Sequence, residues 1–572
     1  MTKHRERNLK KNAKKYLTYL IFFERRTKVL KICVQPIGFV KGQTLRRFEP
    51  YDMNRKQSVK KFFEKIVLIL VKKVMHKDNY VRGEALLSSM TEKVTVVLRQ
   101  LAHNFGEERG YGRFLENDKI TLQDIIECYR PSLPDDIHTK HVLLVQDTTQ
   151  ISFGLDSRKK DLGKVGDGSH YGFFAHPVIG IDTSNGGCLG LGAVEIHKRQ
   201  EYDLTESDIQ AAQKSLETNA KKKGKTKPIT EAAILRRARE THQHKLPFEA
   251  KDRYRWLDTA LEAAEFYQDA AQLTVVGDCE NDIFQVFMGL QARNVGFVIR
   301  SCQDRYLGYT GSETTLCKQS REWATQCCFK VKLPATDKRS AHEAILQVSY
   351  QAVEIACPEY LLKSELVLRG GQKISMPKSM PLYAVRVCES LDSVVNNEQP
   401  IEWLLLTSLP VETTEQALQI IQFYRWRWVI EQVFRTLKSQ GLDIQRSAVQ
   451  HYDGLAKLAV LALIAATQIM QLVQARDGNT NQDIKSVFDD VEIQAMELLN
   501  TQLEGKTEKQ KNPHPPHSLA FAAWVIARLG GWKPFANPKP PGPITMLNGL
   551  TIFYNAMKGF RLKLEPLFQR TS

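Results

Sequence analysis

The chain has 572 residues, a formal net charge of +17 and a hydrophobic content of 42%. It is long enough for more than one domain, each with its own core, and has a globular composition. The basic balance, with a pI near 9.2, favours a polyanionic partner, nucleic acid before membrane, and the ten scattered cysteines, with no Cys-x-x-Cys pair, argue against a zinc site or a disulfide framework.

Residues 1–60 carry seventeen Lys/Arg against four Asp/Glu and are punctuated by Pro36, Gly38, Gly42 and Pro50. They read as a basic arm or a loosely packed unit, or equally as a solvated tail. The apolar run Tyr16–Phe23 meets Glu24-Arg25-Arg26 without a small-residue cleavage pattern, so no signal peptide is expected. No apolar run is expected to approach the length of a bilayer span. Together with the cysteine usage this predicts a reducing, cytoplasmic setting and no membrane partner.

Residues 61–130 have helical spacing in VKKFFEKIVLILVKKVM and EKVTVVLRQLAHNF. In RGYGRFLENDKITLQDI, Arg109, Arg113 and Lys119 lie near a predicted helix N-terminus, where they can bind phosphates. Pro131, Pro134 and Asp135-Asp136 break the pattern. HVLLVQDTTQISF (residues 141–153) then reads as a β-branched strand with Asp147 inside it. A carboxylate there needs a partner if buried; a plain structural role would have Asp147 accept from Thr148 or Thr149 in a turn. The glycine-rich loop GKVGDGSHYG leads into two further strands, FFAHPVIGID and LGLGAVEIH. His170, His176 and His197 around them have no ligand spacing and read as structural. Residues 200–250 are helix-prone and charged, with a basic loop at 221–225, and residues 246–267 read as one helix.

In QLTVVGDCENDIFQVF the strand Leu273–Val276 ends at Gly277 and delivers Asp278 at its carboxyl end, where open α/β sheets place their sites. GFVIRS is the next strand, ending at Arg300. FKVKL, AILQVSYQAVEI, LYAVRVCE and WLLLTSL follow as strands between Pro/Gly breaks. Then comes FYRWRWVIEQVFRTLKSQGLD, residues 423–443. On one helix at about 100° per residue, Tyr424, Arg427, Glu431 and Lys438 fall within an arc of roughly 60°. A hydroxyl, a guanidinium, a carboxylate and an ammonium on one stripe suit a site that holds a metal and grips a phosphate, although Glu431 with Arg427 or Arg435 could also form ordinary (i, i+4) ion pairs. Gly441 is the predicted stop. Gly454–Ala475 reads as an apolar helix backing the sheet, 505–518 as a linker, and LAFAAWVIARLGGW with LNGLTIFYNAMKGF as a helical C-terminal unit.

Tyr, two residues, Arg, three residues, Glu, six residues, Lys is the spacing of the signature of the insertion sequence 4 transposases, DDE-type enzymes typified by the transposase of transposon five. The chain resembles that family here and over Trp403–Tyr424 upstream. The resemblance implies an α/β fold: an RNase H-like catalytic core (136–302 and 403–504) with a β-rich insertion (303–402). It also implies that the helical segment 61–135 is a DNA-binding domain and that the C-terminal helical unit serves dimerisation; composition adds the basic arm (1–60) before them and the linker that opens the C-terminal part (505–572). It implies a catalytic and metal-binding triad of Asp147, Asp278 and Glu431 that holds two Mg²⁺ ions, Mn²⁺ being a substitute. By the same resemblance Tyr424, Arg427, Lys438 and Arg300 contact DNA phosphates, Trp403 stacks on a flipped base, and Arg109, Arg113 and Lys119 bind end DNA. Asp282 would be the helix-start acid behind Asp278, while Cys279 stands where the family carries an arginine and Gly112 where it carries an aromatic residue. Lys251, Arg255 and Trp256 match a Lys and an Arg-Trp pair common in the family.

The implied activity is that of an insertion-sequence transposase. It would nick double-stranded transposon ends, pass through a hairpin, and join the 3′ ends to target DNA as a homodimer in a synaptic complex. An RNase H-like nuclease without strand transfer, and a catalytically silent DNA-binding repressor, are the alternatives.

Overall fold

The computed structural model describes residues 75–568 except 131–132, 157, 167, 200–203, 223–228, 336–338, 397, 439–440, 477, 479, 481, 489 and 535–540. The basic segment 1–60, the helical run before Met75 and the basic loop from Lys223 onward lie outside the described residues.

Among the described residues four helices come first: α1 Lys77–Lys93, α2 Leu98–Leu101, α3 Phe105–Leu115 and α4 Leu122–Tyr129. The helix expected from Glu92 to Phe105 is broken, because α1 ends at Lys93 and Val94 turns left-handed with φ 47°. The β-branched run Val94–Val97 holds a helix poorly. Next come β1 His141–Gln146, β2 Thr149–Ser152, β3 Gly163–Val165, β4 His170–Asp182 and β5 Cys188–His197, then the helices α5 Glu206–Lys222 and α6 Glu231–Lys245. The helix expected over 246–267 begins only at Arg255, after extended Pro247 and two short 3₁₀ turns. This is α7 Arg255–Phe266, followed by β6 Gln272–Gly277, α8 Phe284–Ala292, β7 Gly296–Arg300 and α9 Leu316–Ser320. The strands β8 Cys327–Leu333, β9 His342–Ala356, β10 Glu365–Val367, β11 Lys373–Ser375, β12 Ser379–Glu389 and β13 Glu402–Thr407 lead to the closing helices. These are α10 Thr414–Trp426, α11 Trp428–Leu437, α12 Tyr452–Ala475, α13 Asp490–Leu503, α14 Leu519–Leu529 and α15 Pro543–Phe568.

Eleven strands form one sheet in the order β2-β4-β1-β6-β7-β13-β12-β9-β8, with β3 and β5 also paired to β4. β1, β6 and β7 run parallel, and β1, β4 and β5 form an antiparallel meander. This mixed sheet is consistent with an RNase H-like core. The strands of the β-rich insertion do not stand apart from it: β13 pairs with β7 and carries β12, β9 and β8 outward along the same sheet.

Alternate residues of the central strands enter opposite apolar layers, as the period of two requires. Val142, Leu144 and Val275 pack with Trp256, Leu257, Phe284 and Phe287 of α7 and α8. Leu143, Val145 and Val276 join the layer that includes α1, α10, α11, α12 and α14. Burial on both faces is why these strands read as continuous apolar runs.

The 24-residue α12 is long and apolar enough to cross a membrane, contrary to the expectation from sequence, but it is mostly buried inside the protein. Its Lys457 donates to the Leu115 and Asn117 carbonyls at 3.1 and 2.9 Å, tying the N-terminal helices to the sheet's backing. The C-terminal helices α14 and α15 also pack on α12, and α15 on α1.

Candidate active site

Asp147 is not inside a strand, as expected, but in a break between two. β1 and β2 pair with β4 in a single register, Gln146 opposite Val178 and Thr149 opposite Ala175. That register puts Asp147 opposite Pro177, which has no N–H to offer the ladder. The strand therefore opens at the residue that carries the carboxylate. Thr148 N–H donates to Asp147 Oδ1 at 2.7 Å, which is the turn contact the structural reading anticipated. Below it, Thr148 Oγ1 meets His176 Nδ1 at 2.8 Å, and His176 Nε2 lies 3.2 Å from Gln146 Oε1. His176 is fully buried against Trp256, with ring centroids 4.5 Å apart, so it supports the Asp147 turn as a structural histidine.

Asp278 follows β6 as Asp147 follows β1. The parallel register, with Val145 opposite Val276, continues two places on to set Asp147 beside Asp278. Asp278 Oδ1 caps a 3₁₀ turn by accepting from Glu280 N–H at 2.9 Å. Asp282 does not start a helix: α8 is preceded by Ile283, which makes no side-chain cap. Its carboxylate is 1% exposed. It accepts from Arg305 Nε at 3.0 Å and from the backbone N–H groups of Cys302 and Gln303 at 2.9 and 3.0 Å. This buried pair clamps the chain leaving β7 behind the Asp278 turn. Arg305 gave no signal in the spacing. Cys279, at the arginine position of the resemblance, accepts at its carbonyl from Cys302 Sγ at 3.4 Å.

The third acid comes from a jointed helix. The single helix expected from residue 423 to 441 is two, with Arg427 at the joint between α10 and α11. The backbone tightens there to i+3 bonds, Arg427 N to the Tyr424 carbonyl and Ile430 N to the Arg427 carbonyl, both 3.1 Å. α11 stops at Leu437 rather than at Gly441, with Lys438 as its cap. Gly441 comes so close to the Thr436 carbonyl that a Cβ would sit 2.2 Å from it.

Asp147, Asp278, Glu431 and Lys438 line one cavity of about 440 Å³ with Thr148, Thr149, Phe434 and Arg435. Arg435, one helical turn beyond Glu431, was legible from that spacing. Arg427 Nη1 lies 2.9 Å from Asp147 Oδ2 and 3.5 Å from Glu431 Oε1, so it bridges two of the acids. Burial first, and then the Asp278 charge, push the Asp147 carboxyl up to about 7, while Arg427 pulls the other way. Burial works against the Arg427 charge, but Tyr424, Asp147, Glu431 and Asp278 more than offset it. Burial lowers the Lys438 ammonium, with Glu431 opposing.

Tyr424 is buried and Trp403 half-buried, their rings edge-on at 5.5 Å. Burial raises the Tyr424 phenol against the charges of Arg427 and Arg300. Arg300, at the end of β7, donates to the Glu402 carbonyl at 3.2 Å. Arg109, Arg113 and Lys119 are exposed, but Arg109 lies near the middle of α3 and Arg113 in its last turn rather than at a helix start. The N-terminus of α4 is already capped by Thr121 and Asp124. Gly112 faces open space. Trp256 is core, whereas Lys251 and Arg255 line a separate cleft.

The donor chemistry fits a hard divalent cation: three carboxylates on one cavity, one of them resisting ionisation because of its burial and, after that, its acidic neighbour. Among the described residues no three His, Cys, Asp or Glu side chains stand close enough to hold an ion as placed, with Arg427 between Asp147 and Glu431. A cation would take over the charge balance that Arg427 now provides.

An α/β fold consistent with an RNase H-like core thus carries acids at the carboxyl ends of adjacent parallel strands and on a helix facing them. A protein-family model described as "Transposase DDE domain" matches residues 215–468. The match spans Asp278 and Glu431, with Asp147 upstream of it, and supports a transposase of the DDE type acting on DNA.

Proposed function

We propose that the protein is a DNA transposase of the insertion sequence 4 type, which cuts transposon ends and joins their 3′ ends to target DNA at one site built on Asp147, Asp278 and Glu431. The observation that carries this reading is the register that sets Asp147 beside Asp278 on the cavity that Glu431 also lines. These three carboxylates would hold two divalent cations, Mg²⁺ or Mn²⁺ in its place, which supply activation of the attacking hydroxyl and stabilisation of the leaving oxygen.

The chain's own residues do the rest. Arg427 and Lys438 grip phosphate oxygens beside the acids, and Arg300 holds the backbone further along the strand. Tyr424 adds a hydroxyl at the same place. Trp403 receives a base unstacked during hairpin formation, which recovers roughly 1–3 kcal/mol of the unstacking cost. Arg109, Arg113, Lys119 and the basic arm 1–60 bind the transposon end, and the C-terminal helices pair two protomers in a synaptic complex.

Incubating the protein with DNA that carries the cognate ends and Mg²⁺ tests the reading. Joined products support transposition; nicks alone indicate a nuclease; a bound complex without cleavage indicates a repressor. Alanine at Asp147, Asp278 or Glu431 abolishes cleavage and leaves end binding largely intact, since affinity comes from phosphate contacts. Near wild-type cleavage by any one of these variants removes that residue from the triad.

A further inference from the structure

The cavity of the three carboxylates shares Thr148 with a second, larger cleft of about 630 Å³. Arg199 comes to this cleft from the end of β5, and Lys251, Arg253 and Arg255 come from the turns that open α7. The carboxylates of Glu240, Asp252 and Glu280 line it too, yet among the described residues none forms an ion pair with these four cations. Glu240 instead lies 3.7 Å from Arg236 and 3.4 Å from Arg237. Among the described residues the guanidinium of Arg255 donates to the Asp252 carbonyl at 2.6 Å and its Nε is buried without a hydrogen-bond partner, while the charges of Glu195, Asp252 and Glu280 favour its ionised form from beyond ion-pair distance. Arg199 touches the Gly166 carbonyl at 3.3 Å and lies 5.8 Å from the Phe174 ring centroid. Phe174 and His197 stack on the wall, 5.4 Å apart and 17° from parallel.

Four cations that the fold brings together without pairing them answer a ligand with several negative charges. Aromatic rings among them answer flat groups that stack, and bases can stack on a protein ring only when unpaired. From this arrangement, and resting on the transposase reading above, we propose that the cleft is the track for the single-stranded stretch of DNA next to the scissile phosphate. Arg199, Lys251, Arg253 and Arg255 hold its phosphates, and Phe174 with His197 offers the stacking surface. Glu280, two residues after Asp278, marks where the track meets the carboxylates.

The test uses the full chain, a fluorescein-labelled oligo(dT) and chelator, so that binding is read apart from cleavage. Arg199 and Arg253 are exposed, and R199Q/R253Q removes two charges without opening a core. The double variant is expected to bind about three- to tenfold more weakly and to flatten the log–log salt slope by about 1.4, the single-strand value for two phosphate contacts. A control, K363Q/K373Q at the small β10–β11 sheet and the turn before it, leaves both quantities as in the wild type. An unchanged slope in R199Q/R253Q, or an equal loss in the control, overturns the assignment. D278N in the cleavage assay separates the two readings. If D278N still cleaves while R199Q/R253Q binds weakly, the triad falls and the track stands; the reverse pattern removes the track and keeps the triad.

Discussion

Asp147 and Asp278 occupy the same register position, each one residue past the end of its strand, on neighbouring parallel strands. Two like charges so placed disfavour each other's ionised form, which is why Asp278 follows burial among the causes that push Asp147 up to about 7. The arrangement costs stability in the metal-free protein, and a bound cation would give it back.

The sign follows by linkage. The folded value for Asp147 lies above its unfolded one, so its contribution to stability is present in full below about pH 4 and is lost as the pH rises through about 7. With chelator at about pH 8, Asp147→Asn is expected to melt a few degrees above the wild type; at about pH 3.5 the two coincide. Mg²⁺ raises the wild-type melting temperature at the higher pH and leaves Asp147→Asn unmoved. A lower melting temperature for the variant at about pH 8 would mean that the Arg427 contact outweighs the strain, and the argument fails.

Asp282→Ala leaves the Arg305 guanidinium, with a side chain only 4% exposed, without its counter-charge. Removing one partner of a buried pair costs about 3–5 kcal/mol. Chemical denaturation should show a loss of this size, and Asp282→Ala/Arg305→Leu should recover part of it. A loss below about 1 kcal/mol would show that water reaches the pair.

Gly186 has φ +75°, and a Cβ there would sit 2.4 Å from Trp426 Nε1. Trp426 is the last residue of α10, directly before the Arg427 joint. Gly186→Ala should cost about 1–3 kcal/mol from strain and overpacking and should reduce cleavage more than DNA binding, because it displaces the joint that aims Arg427. Wild-type cleavage in a destabilised variant would show that the joint tolerates the shift.

Trp403→Ala is expected to spare the first nick and slow the hairpin step, as a base-stacking role requires. Because Trp403 is half-buried against Tyr424, a modest fall in melting temperature accompanies it. Gel analysis of nicked and hairpin species over time reads the split; equal slowing of both steps would assign Trp403 to packing alone.

The sequence by itself determined the parts whose causes are local. Apolar β-branched runs were legible as strands, one with Asp278 at its end and one with Asp147 inside it, and the spacing of Tyr424, Arg427, Glu431 and Lys438 was legible as a helical stripe; that the second run breaks at Asp147 was not legible. Pro177, which faces Asp147 and opens the strand there, was present in the sequence but had no meaning until its register was known. Only the tertiary structure decided that Arg427 sits at a joint between two helices and bridges two acids, that Asp282 serves Arg305 rather than a helix, and that the strands of the insertion extend the catalytic sheet. The same holds for the convergence of Arg199 with Lys251, Arg253 and Arg255 at the turns that open α7. Propensity and periodicity act over a few residues, whereas these contacts join segments far apart in the chain, and their partners are fixed only when the elements dock.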